Sequence, residues 1–513
     1  MPYSPSRRQL AAGLAGLAFA PASRKAISSE SCAQSPNALP DWVAPLRADL
    51  EAMATHLSIT LIPWRSSKRV VTPEQYGYTG KGLATPFIQQ AIDAAAQGGG
   101  TVRLLKGDYV SGTLDLRSHV RLEIAQNARL LASLDLEDYP LRVAKRRTVQ
   151  DTNMGMNQSL IFAEGCEDIS ISGDGIIDGR GANFHGEEGS HATPGRPFVI
   201  RIIDCQRIHI QGITLKDSPC WMQNYLNCED LLVEKMTVEN QANYNNDGID
   251  IDGCRNVIVR NSYISSGDDA LCFKGAAQAP AENILVEHCT FFSSCNAVKL
   301  GTDSQSHFRN VLVRHCEVGG VSAAMRHVKP VGADSGISWE VVDGGIAENI
   351  LATDIHIVRA RSPFFMRLED RGRVQPGQPK PDLGTLHKVV FEHITGSDNG
   401  PRGSYFIGVP EKHIADVVLH DIRIGMMATT GGLREDQIGE MRGIYPDAHM
   451  LDEVVSALGK NALGEGVRGD APAYGLWARH VTRLTVLKVA FIPVMPDPRP
   501  EFLMQTDAEV CQA

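Results

Sequence analysis

A short pattern that returns along the chain at intervals of about 23 to 28 residues constrains it more than any other feature. A polar residue opens each copy, four or five alternating apolar residues follow, and a polar turn closes it. Copies stand at Glu167-Asp168-Ile169-Ser170-Ile171 and Arg207-Ile208-His209-Ile210, then at Asp230–Val233, Asn256–Val259, Asn283–Val286 and Asn310–Val313. Asn349-Ile350-Leu351, Lys388–Phe391 and Asp416–Leu419 continue the series, and Arg483–Val486 ends it. Period two and β-branched side chains make each run a strand. A lone strand cannot bury its apolar face, but copies stacked like on like can, at one solenoid coil per repeat. The gaps near forty residues then hold an extra rung or an insertion. A sandwich would need a hairpin turn about every ten residues. The expected fold class is therefore all-β, a parallel β-helix in one body, which a length of 513 residues allows.

The ends depart from the repeat, as solenoid caps do. Phe87–Ala95 has helical periodicity and stops at Gly98-Gly99-Gly100, which predicts a helix plugging the N-terminal opening. Residues 430–470 are irregular, with a helix expected at Met450–Leu458, and read as an insertion or flap before a last strand. The first thirty residues read as an export signal. Ser6-Arg7-Arg8-Gln9-Leu10 is a twin-arginine pattern, an apolar stretch runs to Phe19, and Ala18-Phe19-Ala20 offers a cleavage site. The expected division is a signal at 1–30, an N-terminal extension at 31–70, the β-helix at 71–500 and a tail at 501–513. The expected location is periplasmic or secreted.

A net charge of -10 argues against nucleic acid as a partner, since phosphate binding needs a basic face. Beyond the leader no apolar run is long enough to span a membrane. Of 11 cysteines, Cys205, Cys228 and Cys254 open similar segments, which suggests stacked, buried thiols rather than a disulfide scaffold. Cys and His do not fall in short-spaced pairs of the kind zinc needs, and no nucleophilic triad is supported. No metal or cofactor is implied, and the expected oligomeric state is a monomer.

Two clusters carry chemistry: Asn245-Asn246-Asp247-Gly248-Ile249-Asp250 and Gly267-Asp268-Asp269-Ala270. Each follows a strand, and they lie about one rung apart. Neighbouring strands are ~4.8 Å apart, so the carboxyls would share one face. Gathered carboxylates repel, at least one pKa rises, and a proton donor then coexists with an ionised base. Glycoside hydrolysis needs that division of labour. A third cluster, Cys295-Asn296-Ala297-Val298-Lys299, comes one rung later. Lys299, with Lys274, Arg326, Lys329, Arg367, Arg371 and Arg373, suggests a cationic floor suited to an acidic, uronate-bearing polysaccharide.

At these residues the chain resembles the polygalacturonases, glycoside hydrolase family 28. That family's Asn-Thr-Asp-Gly motif is similar to Asn245-Asn246-Asp247-Gly248, and its Gly-Asp-Asp to Gly267-Asp268-Asp269. Tyr76-Gly77, Gly112-Thr113-Leu114, Ile176–Gly179, Tyr445-Pro446 and Pro472–Gly475 extend the likeness from about residue 70 to the end. The resemblance implies a right-handed β-helix that hydrolyses pectin of plant cell walls with inversion. It implies Asp268 as general acid, with Asp247 and Asp269 activating water. Asn245, Asn296, Lys299, Arg326 and Lys329 are implied in substrate binding. The family's Gly-His-Gly aligns with Cys295-Asn296-Ala297, so Asn296 stands for its His. Its Arg-Ile-Lys is similar to Arg326-His327-Val328-Lys329, one residue longer. Two other readings stay open. One is a calcium-dependent polysaccharide lyase, with Asp247, Asp250, Asp268 and Asp269 as ligands and Lys299 as base. The other is an inactive carbohydrate-binding solenoid.

Overall fold

A strand that is apolar on one face must find a cover, and here each coil is covered by the next. A computed structural model describes residues 38–63, 68–146, 148, 157–184, 195–277, 279–321, 332–374, 377–459, 468–505 and 510–512. The repeats wind into a right-handed parallel β-helix. One face is a 12-stranded sheet that includes Gln223–Leu226, Ile249–Asp252, Leu271–Lys274, Asn296–Leu300 and Ala333–Val341. The other strands form the remaining wall, and from His307–Gly320 onward single long strands turn its corner.

Register explains the core. Leu231 pairs with Val257, then in turn come Ile284, Val311, Ile350, Val389, Val417 and Leu484. Every member of this column is buried. Burying one such side chain is worth ~1.5–3 kcal/mol, so the stack repeats that gain at each coil. The polar residue that opens each copy has a backbone reason. Asn256, Asn283, Asn310 and Asn349 sit at φ of 55°, 56°, 56° and 57°, in the left-handed region that Asn tolerates better than most residues. Their amides also bond rung to rung, at 3.2, 3.1 and 3.3 Å.

The alternation is imperfect in an informative way. Leu232, Ile258, Leu285, Leu312, Leu351, Val390 and Val418 occupy the outward middle position of successive rungs. Helix α1, Val43–Thr60, covers that stripe with Val43, Leu46, Leu50, Ala54 and Leu57. Its 18 residues span ~27 Å, close to the ~29 Å covered by seven rungs. On the flanking rungs the position turns polar, at His209 and Thr485. Glu51 to Arg314, at 2.7 Å, and Arg47 to Glu392 tie the helix down. Helix α2, Thr85–Ala96, buries Ile88, Ala91, Ile92 and Ala95 against the first coils.

Between the strands Ile414–Met426 and Leu476–Arg479 lies an insertion carrying helices α3, Glu435–Ile438, and α4, Met450–Leu458. Leu433, Ile438, Met441, Met450, Leu451 and Val454 pack on Phe365, Tyr405, Ile407 and Trp477, which project from the 12-stranded sheet. The insertion therefore lies over the C-terminal part of that sheet. Tyr405 Oη donates to Ala448 O at 2.8 Å, and the buried Arg402 bonds Ala448 O and Asp452. The nine cysteines from Cys166 to Cys316 are free thiols, eight of them buried, and the Cys228 amide donates to Cys254 Sγ at 3.3 Å. The twin-arginine segment lies outside the described residues, as do Arg326 and Lys329. Among the described residues no helix is long and apolar enough to cross a membrane.

Candidate active site

The 12-stranded sheet carries the two aspartate clusters on adjacent rungs. Ile249 pairs with Leu271, and Leu271 with Val298. Two bonds carry this register into the preceding turns: Gly248 N to Asp269 O at 2.8 Å, and Ala270 N to Asn296 O at 2.9 Å. Asp247, Asp269 and Asn296 thus follow one another up a column at the strand repeat of ~4.8 Å. Asp250, Cys272 and Lys299 form a parallel column.

Buried polar side chains hold both turns. Asn246 donates to Ser218 O at 2.8 Å and Cys220 O at 3.1 Å, while Asn240 donates to Asp247 O at 2.8 Å. Ser266 Oγ and Ser293 Oγ both donate to Asp268 O, at 2.5 and 2.6 Å. The Asp269 amide donates to Asp268 Oδ1 at 3.0 Å, which aims that carboxyl. Asn245, at φ 51°, accepts from Arg196 at 3.0 Å.

The carboxyls differ in environment. Asp247, Asp250 and Asp269 are 3%, 0% and 4% exposed, whereas Asp268 is half-buried. Burial, and then the Asp250 and Asp268 charges, push Asp247 well above the usual carboxylate range. Burial pushes Asp250 up to about 7 against the pull of Lys274. Lys274 Nζ lies 3.3 Å from Asp250 and 3.5 Å from Asp247, and 4.4 Å from the centre of the Trp221 ring. Burial would lower both Lys274 and Lys299, yet the carboxylates around them hold each well above the usual value.

Asp269 has its own donors. Asn296 Nδ2 gives a hydrogen bond to Oδ1 at 2.8 Å, and Lys299 Nζ stands 3.4 Å from Oδ2. Burial raises Asp269, and Lys299 opposes it. Lys299 also meets Asp447 at 2.5 Å and Glu340 at 3.6 Å. Asn296 donates to Asp447 too, at 3.1 Å, and Ser335 Oγ donates to Asn296 Oδ1 at 2.7 Å. Burial would raise Asp447, but Lys299 and His449 outweigh it and hold the carboxyl well below the usual range. Tyr445, 43% exposed, reaches Thr302 Oγ1 at 3.1 Å.

Asp447, Tyr445 and His449 come from the insertion, and sequence reasoning did not place Asp447 or Glu340 here. A signal existed. Lys299 sits between apolar residues on a central strand, and a buried Lys demands an anionic partner. The cationic floor is, among the described residues, paired internally. Arg367 is fully buried on Glu369 at 2.9 Å, Arg371 meets Asp343 at 2.5 Å, and Arg373 meets Asp303 at 3.2 Å. Asp268, Asp269 and Cys295 present three ligand atoms within 4.8 Å of one another. A thiol among them suits calcium poorly, and Lys299 and Lys274 already hold the places a cation would neutralise. The arrangement fits proton transfer better than calcium-assisted elimination.

A family model described as "Glycosyl hydrolases family 28" matches residues 117–435. A probable polygalacturonase of Vitis vinifera is 29% identical over 238 residues, which is 43% of this chain and 48% of that protein. Exopolygalacturonase X-1 of Emericella nidulans is 31% identical over 197 residues, 37% of this chain and 43% of that one. The chain thus spans about half the length of the curated relatives it matches. Among solved structures, an exopolygalacturonase from Thermotoga maritima superposes with a TM-score of 0.62 at 18% identity, covering 74% of this chain and 91% of that one. The family 28 exopolygalacturonase of Yersinia enterocolitica also gives 0.62, at 16% identity, covering 86% and 78%. At these identities the likeness is one of fold.

Proposed function

We propose that this chain, which belongs to the family 28 glycosyl hydrolases, hydrolyses glycosidic bonds in acidic pectic polysaccharide by a single inverting displacement. The observation that carries the reading is one column of carboxyls in two environments. Asp268, half-buried, stands where a leaving oxygen arrives from solvent. Asp247 and Asp269, on adjacent rungs, are buried beneath it. In the reaction the protonated Asp268 gives its proton to the glycosidic oxygen as the bond to the anomeric carbon breaks. Water held by Asp247 and Asp269 attacks the opposite face of that carbon. Asp269 takes the water's proton, because Lys299 and Asn296 favour its ionised form. Asp247, raised by burial and by Asp250, keeps the water in line.

The insertion supports cleavage near a chain end. It lies on the sheet just C-terminal to the catalytic rungs, and its Tyr445–His449 tip meets Thr302, Lys299 and Asn296, where it would block a polysaccharide chain from running on past the aspartates. The exposed Tyr244, 55% accessible, and Tyr445 offer aromatic faces to sugar rings. Asn245 would contact the sugar from the turn that holds Asp247. Arg326 and Lys329, outside the described residues, are the candidates for gripping a uronate carboxylate. Substrate of this kind is met outside the cell, which agrees with a twin-arginine export signal at Ser6–Leu10.

The test is an end-product assay on homogalacturonan and rhamnogalacturonan, with Asp268→Asn as control. New reducing ends are expected, falling at least ~10³-fold in the variant. Unsaturated, calcium-dependent products, or no product from any pectic polymer, would overturn the reading.

A further inference from the structure

Against the catalytic column stands a carboxylate that the two-motif reading does not use. Asp447 is 2% exposed and reaches the site from the insertion, 178 positions after Asp269. It does not merely adjoin Asp269, because the two share their donors. Asn296 Nδ2 lies 2.8 Å from Asp269 Oδ1 and 3.1 Å from Asp447 Oδ1. Lys299 Nζ lies 3.4 Å from Asp269 Oδ2 and 2.5 Å from Asp447 Oδ2. One amide and one ammonium thus bridge two carboxylates, and Lys299 is the closer to Asp447.

We infer that Asp447 is a positioning residue of the hydrolytic centre, which draws Asn296 and Lys299 away from Asp269 and so sets how strong a base Asp269 is. The inference rests on the hydrolase reading, in which Asp269 takes the proton of water. An isolated carboxylate facing a full ammonium and an amide donor would be a weak base. Sharing both donors with a second carboxylate leaves Asp269 partly compensated, close to the condition that general-base catalysis favours near neutral pH. Opposite shifts in the two groups agree with this: Asp269 lies above the usual range and Asp447 well below it.

Among the described residues the other charged groups that face Asp269 can be named, and the Cys295 thiol also stands within 4.8 Å of its carboxyl. Asp268 adjoins it in its own turn, Lys274 ends the strand that this turn leads into, and Asp247 and Asp250 come from the preceding rung. Glu340 acts on it through Lys299, and His449 through Asp447, at 3.6 and 3.7 Å from those partners. None of them shares both of its donors. A helix-entry role would be the purely structural alternative, since Asp447 Oδ1 accepts the Ala448 amide at 2.6 Å just before α4. An Asn keeps that acceptor while it removes the charge and replaces Oδ2, the oxygen that meets Lys299, by an NH2 that cannot accept.

The experiment compares wild type, Asp447→Asn and Asp447→Glu in two ways. The first is the pH profile of kcat/KM on whichever pectic substrate the wild type cuts. The second is a carboxyl-carbon NMR titration of aspartate-labelled protein, with the Asp269 signal assigned by its loss in Asp269→Asn. In Asp447→Asn both donors turn wholly to Asp269. Its midpoint and the acid limb should each fall by about one pH unit, a tenfold change in proton affinity, and the plateau should drop. Asp447→Glu keeps the charge and should hold the limb near the wild-type position. A folded Asp447→Asn protein in which neither midpoint nor limb moves overturns the inference while leaving the hydrolase intact. If no substrate is cut, the functional reading falls, and the NMR midpoint alone still decides whether Asp447 tunes Asp269.

Discussion

Single carboxyls here differ by which of them can shed a proton. Asp252 shows the thermodynamic side of this without touching the reaction. It is 2% exposed, accepts the Ala277 amide at 2.9 Å, and is pushed up to about 7, chiefly by burial. An unfolded Asp titrates near ~3.9, so the native state binds the extra proton between about pH 4 and 7. Stability contributed by that group is therefore full below this window and is lost as pH rises through it. Asp252→Asn is expected to leave the melting temperature nearly unchanged at pH 4 and to raise it by about 3 °C at pH 8, measured by thermal unfolding. An equal change at both pH values would contradict the shift. Asp247, Asp268 and Asp269 were legible in the sequence because each aspartate motif is contiguous and the repeat places the two a rung apart. Asp447 was not, because it lies in an irregular segment with no period to place it. Nor could spacing show that Lys299, read as a substrate contact, is 3% exposed and committed to internal carboxylates.

Among the elements, the strands were the most readable and helix α1 the least. Each predicted run from Glu167 to Val486 lies within a strand, because period-two patterning and a recurring turn residue agree at every copy. Helix α1 was missed although its footprint stood in plain view. Leu232, Ile258, Leu285, Leu312, Leu351, Val390 and Val418 break the alternation at seven successive rungs, and an outward stripe of that length needs a cover. Leu50 is 1% exposed in that contact. Leu50→Ala should cost ~2–4 kcal/mol in denaturant unfolding and make α1 an early site of proteolysis, with kcat/KM of folded protein unchanged. A loss below ~0.5 kcal/mol would mean that the helix does not dock as described.

For the whole molecule, the solenoid is what makes the site possible. Stacking in register turns two motifs distant in sequence into one column of carboxyls, and it does so on a sheet rigid enough to hold them. The insertion then adds what the repeat cannot, the Asp447 side chain approaching from above the sheet. The parallel β-helix followed from the repeat and its right hand from the family resemblance, while the seating of the insertion depends on tertiary packing of Leu433–Val454 on outward aromatics, which no local pattern announces. The central claim, direct displacement by water between carboxylates on adjacent rungs, has a stereochemical signature that no other reading shares. Proton NMR of the products, recorded before they mutarotate, should show the new reducing end first as the anomer opposite to that of the bond cut. Retained configuration would require a covalent intermediate, and an unsaturated product would require elimination; either would contradict the account.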